Sequence, residues 1–318
     1  MSPARTRHGS RDIAPSDASA LLGGVLWLAL VIAGNLDAID QALALAPLVL
    51  VPLGIGMAAT PPFPGFAGRL HGLAVTIQPV GATLFVASLV APVNGLAAAL
   101  LASPWVLVTG LLGVLALVRV RNRGATSVPE SLVDAGLAYS VVGAVALVLF
   151  HLAMTFWFDP TIVRLTAVHF HYAGFALPLV TGLVGRSLET ESSLYDTVAV
   201  VVLVGPGLIA VGISFSPVVE VLAVGAFTLA VTLLAGFVTV QVAPTRQRPQ
   251  GALLALSSLA LPVSMALAFG YAVSVYAGGD GLGLRIPAMV RIHGSMNAFG
   301  FALLGLVGWR LAVPAREA

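Results

Sequence analysis

Histidine is the side chain in this sequence that is best suited to acid–base chemistry or ligand binding at neutral pH. The 318 residues include six histidines and no cysteine, and all 15 basic residues are arginine. Without cysteine there is no disulfide, no thiolate metal ligand and no iron–sulfur cluster. Without lysine there is no Schiff base for retinal or pyridoxal phosphate. A site must therefore be built from imidazoles, carboxylates, amides and hydroxyls.

The elements that position these side chains are predicted to be membrane-spanning helices. Hydrophobic residues make up 58% of the chain and charged residues 9%, and the mean hydropathy is +1.02. Soluble domains contain about 25% charged residues. A helix needs about 20 apolar residues to cross a bilayer. We therefore predict an all-α, polytopic transmembrane helix bundle of about ten spans. Their limits are residues 20–35, 40–58, 69–90, 95–118, 132–157, 162–185, 194–214, 217–241, 250–276 and 287–313.

The arginines predict the orientation of this bundle. Twelve of them fall on the same side as the N-terminus, and only Arg164, Arg285 and Arg291 fall on the other side. Positive residues that flank membrane spans concentrate in the cytoplasm. We therefore predict cytoplasmic N- and C-termini and a location in the cell (cytoplasmic) membrane. The basic balance then reflects topology, so the expected partner is the lipid bilayer and no nucleic acid is expected.

The domain organisation follows from the same patterns. Residues 1–17 are polar and charged, and they are predicted to form a disordered cytoplasmic tail. Residues 18–318 are predicted to form a single transmembrane domain. No five-plus-five internal repeat, of the kind found in many transporters, is evident in the sequence. Any function is therefore expected to lie within or between the helices.

Four histidines are predicted to lie at one depth, about 10 Å inside the outer membrane surface at 1.5 Å per residue. His151 lies near the end of the fifth span, His169 and His171 near the start of the sixth, and His293 near the start of the tenth. An ionisable group in the hydrocarbon core costs about 2.5–3.5 kcal/mol. A layer of such groups therefore indicates a function.

These histidines are candidate ligands of a transition metal or a haem, because neutral imidazole binds Zn, Cu, Fe and Ni. Residues two apart on a helix point about 200° apart, so His169 and His171 are expected to serve different centres. The same HFHY segment occurs in haem–copper oxidases, but the sequence lacks their His-Pro-Glu-Val motif and adjacent histidine pair. Oxidase membership is therefore rejected. Asn297, one turn from His293, and Tyr172 are candidates for orienting the ligands.

Two segments resemble the YndJ-like family of multi-pass bacterial membrane proteins. They are residues 166–175, with the sequence TAVHFHYAGF, and residues 291–301, with the sequence RIHGSMNAFGF. The hydrophobic length is also similar, which extends the resemblance over most of the chain. The family is sometimes described as a transporter but has no settled activity. The resemblance thus implies a class of membrane protein without a mechanism.

The sequence favours one function and leaves others open. The favoured one is redox or metal-dependent chemistry at the imidazole site on a lipid-soluble substrate, and whether the protein is an enzyme stays open. The second is a YndJ-type secondary transporter of a small molecule or ion. A third is that the histidines only bond neighbouring helices. Glu220, Arg164 and Arg291 are further candidates for substrate contact, although the arginines could instead reach the membrane surface or pair with Asp159 and Glu220.

Overall fold

The described part of the chain contains ten helices that are long and apolar enough to cross a membrane. A computed structural model describes residues 13–190, 192–280, 282–283 and 285–316. A helix satisfies its backbone N–H and C=O groups internally, as a water-free bilayer requires. The prediction of an all-α bundle of about ten spans is confirmed. The helices are Pro15–Ile32 (α1), Ala38–Ala58 (α2), Gly65–Val90 (α3), Leu96–Arg123 (α4), Val128–His151 (α5), Pro160–Gly185 (α6), Ser193–Phe215 (α7), Pro217–Thr245 (α8), Arg248–Tyr276 (α9) and Ile286–Leu311 (α10).

The first helix begins earlier than predicted. α1 starts at Pro15, so residues 15–17 of the predicted tail are helical. Proline suits the first helical position because the N–H that it lacks would have no partner there. Asp17 in this first turn accepts a hydrogen bond from Nε of Arg310 at 2.6 Å, which joins the start of α1 to the end of α10. Residues 1–12 of the predicted tail lie outside the described residues.

The fifth helix ends six residues before its predicted limit, at His151 rather than residue 157. Ala153 and Phe156 have φ angles of 56° and 54°. An α-helix requires a negative φ, so these residues form a turn. The turn is rich in apolar side chains, so a prediction from hydropathy alone placed the end of the helix beyond it.

A single residue, Ser216, connects α7 to α8. Its hydroxyl oxygen accepts a hydrogen bond from the backbone N–H of Val219 at 3.4 Å, which caps the start of α8. The two helices approach closely because Gly212 has no side chain, since a Cβ there would lie 2.4 Å from the Cα of Glu220. This contact fixes the first turn of α8 against α7. The predicted break between residues 214 and 217 is therefore a tight hairpin.

Two sets of three antiparallel helices surround a buried pair. α4 packs along α3 and α5, and α8 packs along α7 and α9. Helices α2 and α6 are buried along most of their length, whereas α1 and α10 leave most of theirs uncovered by the described chain. A helix with apolar residues around its whole circumference is typically buried on all sides. These two helices therefore form the core against which the others are placed.

Wider π-helical turns interrupt four of the spans in the described part of the chain, one of them at Val238–Val242 in α8. The others cover Ala46–Leu50 in α2, Phe170–Ala176 in α6, and both Val290–Gly294 and Met296–Leu303 in α10. A π-helical turn breaks the i→i−4 hydrogen-bond ladder, and such turns occur often at functional sites. The interruptions in α6 and α10 contain or adjoin His169 and His293.

The connecting segments lie at two ends of the bundle. We call the end that contains residues 59–64, 124–127 and 246–247 the Arg119 end. The opposite end, which contains residues 33–37 and 152–159, is the Asp37 end. The arginine distribution predicts that the Arg119 end faces the cytoplasm.

Candidate functional site

A cavity of about 350 Å³ lies among α2, α6, α7, α8, α9 and α10, and we call it the α6–α10 cavity. Its size falls at the lower end of the range of about 300–1,000 Å³ that is usual for small-molecule sites. Most of its lining side chains are apolar. A few polar residues interrupt these walls. They are His169, Tyr172, Glu220, Tyr271, His293, Ser295 and Asn297.

His169 presents a free ring nitrogen to this cavity. It lies nine residues after the start of α6, about 14 Å along the helix axis at 1.5 Å per residue. Its Nδ1 is 2.8 Å from the carbonyl oxygen of Leu165. A carbonyl can only accept, so Nδ1 carries the proton and Nε2 carries the lone pair. Nε2 has no hydrogen-bond partner among the described residues, and the side chain is exposed to the cavity.

His293 is held by neighbours on both of its ring nitrogens. Nδ1 lies 3.0 Å from the carbonyl oxygen of Ser264 and donates to it. Nε2 therefore has a lone pair, which accepts from the side-chain amide of Asn297 at 3.1 Å. This pairing assigns the amide nitrogen of Asn297 to His293 and leaves its Oδ1 free of partners within the described chain. The row of hydrogen bonds from Ser264 through His293 to Asn297 thus ends at Oδ1 of Asn297, which can still accept a hydrogen bond.

Glu220 is the one formally charged side chain among the described residues that line the cavity. It lies in the first turn of α8, where the contact with Gly212 places it. No ion pair to its carboxylate occurs within the described ranges. The expected pairing of Glu220 with Arg164 or Arg291 is therefore absent from the described chain. The carboxylate adds a third acceptor to the cavity wall.

His171, two residues after His169, faces the opposite side of α6. It is fully buried, and its Nε2 accepts from the indole N–H of Trp105 at 3.0 Å. Its Nδ1 donates to the carbonyl oxygen of Ala167 at 2.7 Å. Gly143 makes room for the ring, because a Cβ there would lie 2.6 Å from Nδ1. Both ring nitrogens are engaged, so His171 joins helices together and has no nitrogen left for a metal.

His151 is also separate from the cavity, since its Nε2 bonds the hydroxyl of Ser88 at 3.1 Å. The structure therefore brings His169 and His293 to one cavity and places His151 and His171 in other surroundings. No group of three or more His, Asp or Glu residues suited to a metal ion occurs in the part of the chain that is described. The predicted layer of four histidines therefore does not form one cluster, and the described residues give no support for a metal site there.

The other predicted residues take structural contacts. Arg164 pairs with Asp40 and, at 2.9 Å, with Asp37, rather than with Asp159 or Glu220. Asp159 instead caps α6 by accepting from the N–H of Thr161. The ion pairs of Arg164 tie the start of α6 to the start of α2.

Tyr172 and Arg291 are the remaining candidate residues from the sequence. Tyr172 lines the cavity, but its hydroxyl donates to the carbonyl oxygen of Ala42 at 2.9 Å and so joins α6 to α2. Arg291 is exposed and does not line the cavity. Neither residue offers the cavity a free polar group.

A buried ion chain at the Arg119 end escaped prediction. Glu130 pairs with Arg119 and, at 2.6 Å, with Arg186, while Asp134 pairs with Arg119 and Arg123, both at 3.0 Å. The spacing of the arginines on α4 and of the acids on α5 is four residues in each case. Side chains at i and i+4 lie on one face of a helix, and the two helices are antiparallel neighbours. That spacing is the signal in the sequence that could have predicted these buried ion pairs.

Comparison with known proteins supplies the family. The family described as "YndJ-like protein" matches residues 41–301. The chain is 34% identical over 239 residues to "Uncharacterized membrane protein YndJ" of Bacillus subtilis (strain 168). The alignment covers 74% of this chain and 42% of that relative, so the chain spans less than half of the relative's length. No solved structure matches the chain. The chain belongs to the YndJ-like family of multi-pass membrane proteins, as its two histidine segments predicted.

Proposed function

We propose that this YndJ-like protein binds a lipid-soluble molecule in the α6–α10 cavity through a hydrogen bond to Nε2 of His169. The observation that carries the proposal is the hydrogen bonding of the His169 ring, which engages Nδ1 but not Nε2. Its Nδ1 proton is used by the carbonyl of Leu165, so an acceptor is left in an apolar cavity. A polar group away from water without a partner costs about 1–3 kcal/mol. A ligand hydroxyl or amine that donates to Nε2 removes that cost.

The apolar walls determine the kind of molecule. Leu165, Ile209, Phe227 and Met265 from four helices line the cavity together with His169. Burying apolar surface contributes about 25 cal/mol per Å², so the body of the ligand is expected to be hydrocarbon or aromatic. One polar group then sets its orientation, as in most small-molecule sites.

A metal or haem suits this set of donors less well. His169 Nε2 is the one ring nitrogen of the two cavity histidines that is not already hydrogen-bonded. A metal held by a protein takes three or four such ligands. A haem needs one axial ligand, but its two propionates would meet no arginine among the described lining residues. Burying those charges unpaired is costly. We therefore favour an organic ligand.

The test uses 4-(hydroxymethyl)benzophenone, a neutral aromatic alcohol that forms covalent adducts under near-ultraviolet light. Membranes that contain the protein are irradiated at increasing probe concentration, and the half-saturating concentration is measured. We expect His169→Ala to raise it about two- to tenfold, because one hydrogen bond contributes about 0.5–1.5 kcal/mol. His151→Ala, outside the cavity, should leave it unchanged.

A second probe keeps the result independent of folding defects. 4-Methylbenzophenone has the same rings but no donor, so His169→Ala should leave its half-saturating concentration nearly unchanged. A variant that is only misfolded would instead raise the half-saturating concentrations of both probes. Equal half-saturation of wild type and His169→Ala by the alcohol would contradict the proposal.

Transport is a second candidate function, favoured by the π-helical segments of α6 and α10. Interrupted helices around a site are a feature of many transporters. Because the chain has no cysteine, Ala268→Cys places one thiol on the cavity wall. A membrane-impermeant thiosulfonate should label it from either membrane face if the cavity opens alternately. Labelling from the Asp37 end alone, or from neither face, would contradict transport.

A further inference from the structure

We infer that the α6–α10 cavity selects lipid-soluble molecules that carry a protonated amine, an inference that rests on the proposed function. The first observation is that three open polar groups of the cavity can accept a hydrogen bond, whereas the hydroxyls of Tyr271 and Ser295 can donate or accept. Nε2 of His169 and Oδ1 of Asn297 both lack a partner within the described chain. The carboxylate of Glu220 is a third acceptor. A ligand that satisfies them must bring N–H or O–H donors.

The second observation concerns charge. Glu220 carries the one formal charge of the described lining residues, and no arginine lies among them. A carboxylate close to apolar walls is stabilised by an opposite charge, and an ammonium group provides both the charge and the donors. Arg164, the basic side chain nearest in sequence to the cavity wall on α6, is already paired with Asp37 and Asp40. The carboxylate of Glu220, which has no ion pair within the described residues, is therefore available to pair with a cationic ligand.

The aromatic side chains of the cavity favour the same class. Rings of Phe227, Tyr271 and Phe299 line it together with Glu220. The face of an aromatic ring attracts an ammonium group, and the attraction grows when water is excluded. These rings also supply apolar surface for the body of the ligand. A compact amine on a hydrocarbon or aromatic body fits both features.

An anionic ligand fits the cavity poorly. A carboxylate or phosphate would approach Glu220 with like charge, and at Nε2 of His169 it would meet a further acceptor. Like charges and unpaired acceptors are the elements by which a site rejects a ligand. The charge of Glu220 thus disfavours lipid-soluble anions and favours amines.

The experiment compares two photoprobes that differ in charge. 4-(Aminomethyl)benzophenone is protonated at neutral pH, whereas 4-(hydroxymethyl)benzophenone is neutral, and both donate hydrogen bonds from the same position. Their half-saturating concentrations are measured in membranes containing wild type, Glu220→Gln, or the control Glu189→Gln. Glu189 is an exposed carboxylate at the Arg119 end. Comparing each probe between variants cancels the different partitioning of the two probes into lipid.

We expect Glu220→Gln to weaken labelling by the amine about tenfold, as the loss of a hydrogen bond to a charged group implies. Labelling by the alcohol should change less than about twofold, Glu189→Gln should affect neither probe, and Glu220→Asp should retain much of the preference for the amine. If Glu220→Gln affects both probes equally, the amine selectivity is wrong while the proposed cavity site stands. If neither probe labels the cavity, both proposals are wrong.

Discussion

The Arg119 end and the α6–α10 cavity both contain polar side chains in an apolar protein, but they satisfy them differently. At the Arg119 end, Glu130 and Asp134 are each shared by two arginines, and Arg186 also donates to the backbone carbonyl oxygens of Met57 and Ala58. At the cavity, His169 keeps an acceptor without a partner within the described chain. The carboxylates of the first region pair with arginines and hold helices together, whereas Nε2 of His169 and the carboxylate of Glu220 have no partner among the described residues.

This difference separates structural from functional polar groups in a membrane. A buried group paired within the protein contributes to stability and to a unique packing. A group with an open lone pair lowers stability, so it calls for an explanation such as a ligand. Within α6 the same contrast is found two residues apart, between the engaged His171 and the open His169. Substitutions on the two sides should therefore affect different measurements.

The largest effect is expected at the ion chain. Glu130→Ala removes the carboxylate that Arg119 and Arg186 share and leaves two buried guanidinium groups without it. Breaking such a pair costs about 3–5 kcal/mol. The free energy of unfolding, measured by titration with sodium dodecyl sulfate in mixed micelles, should fall by that amount. Glu189→Ala, an exposed carboxylate at the same end, should change it by less than about 0.5 kcal/mol.

An intermediate effect is expected for His171→Ala. The change opens a space in the core and leaves the buried indole N–H of Trp105 without its acceptor. Together these cost about 2–4 kcal/mol of unfolding free energy in the same titration. His169→Ala removes only a bond to the carbonyl of Leu165, so it should cost less than about 1 kcal/mol. Equal losses of unfolding free energy in the two variants would contradict the distinction between His171, whose ring nitrogens are both hydrogen-bonded, and His169, which has one free.

The smallest effect is expected at Asp37, which lies between α1 and α2. Partial burial raises the pKa of its carboxyl, but hydrogen bonds from the N–H groups of Asp40 and Ile39 and the contact with Arg164 together lower it below 3.8. A lowered pKa contributes stability above the unfolded value, and this stability is lost as the pH falls through the folded value. Asp37→Asn should cost less than about 1 kcal/mol at pH 7, since asparagine also caps a helix.

The pH dependence provides the check on that prediction. The difference in melting temperature between wild type and Asp37→Asn should shrink as the pH falls below about 4 and the carboxyl of the wild type becomes protonated. A difference that grows toward acid pH would show that the carboxylate destabilises the fold.

Most of the fold was predictable from hydropathy, because a span needs a long apolar run and a bilayer permits few other structures. The turn after His151 was missed, since its composition is apolar and only its φ angles break the helix. The start of α1 at Pro15 was missed for the opposite reason, because its first turn is polar.

The candidate site was predictable only in part. Helix geometry anticipated that His169 and His171 face apart and that Asn297 lies beside His293. Depth alone grouped His151 and His171 with the cavity histidines, but depth does not specify which helices are neighbours. The partners Trp105 and Ser88 come from distant parts of the chain. Whether a histidine is open or engaged is therefore a property of packing, which one sequence does not reveal.

The most direct test of the account is the location of the covalent adducts formed by 4-(hydroxymethyl)benzophenone. Excited benzophenones react readily with methionine side chains, and Met265 and Met289 line the cavity. Mass spectrometry of peptides from irradiated membranes should find saturable adducts on these two residues, and Ala268→Phe, which fills the cavity, should abolish them. Saturable adducts confined to other parts of the chain, or adducts on Met265 and Met289 that persist in Ala268→Phe, would contradict the claim that the α6–α10 cavity binds a lipid-soluble ligand.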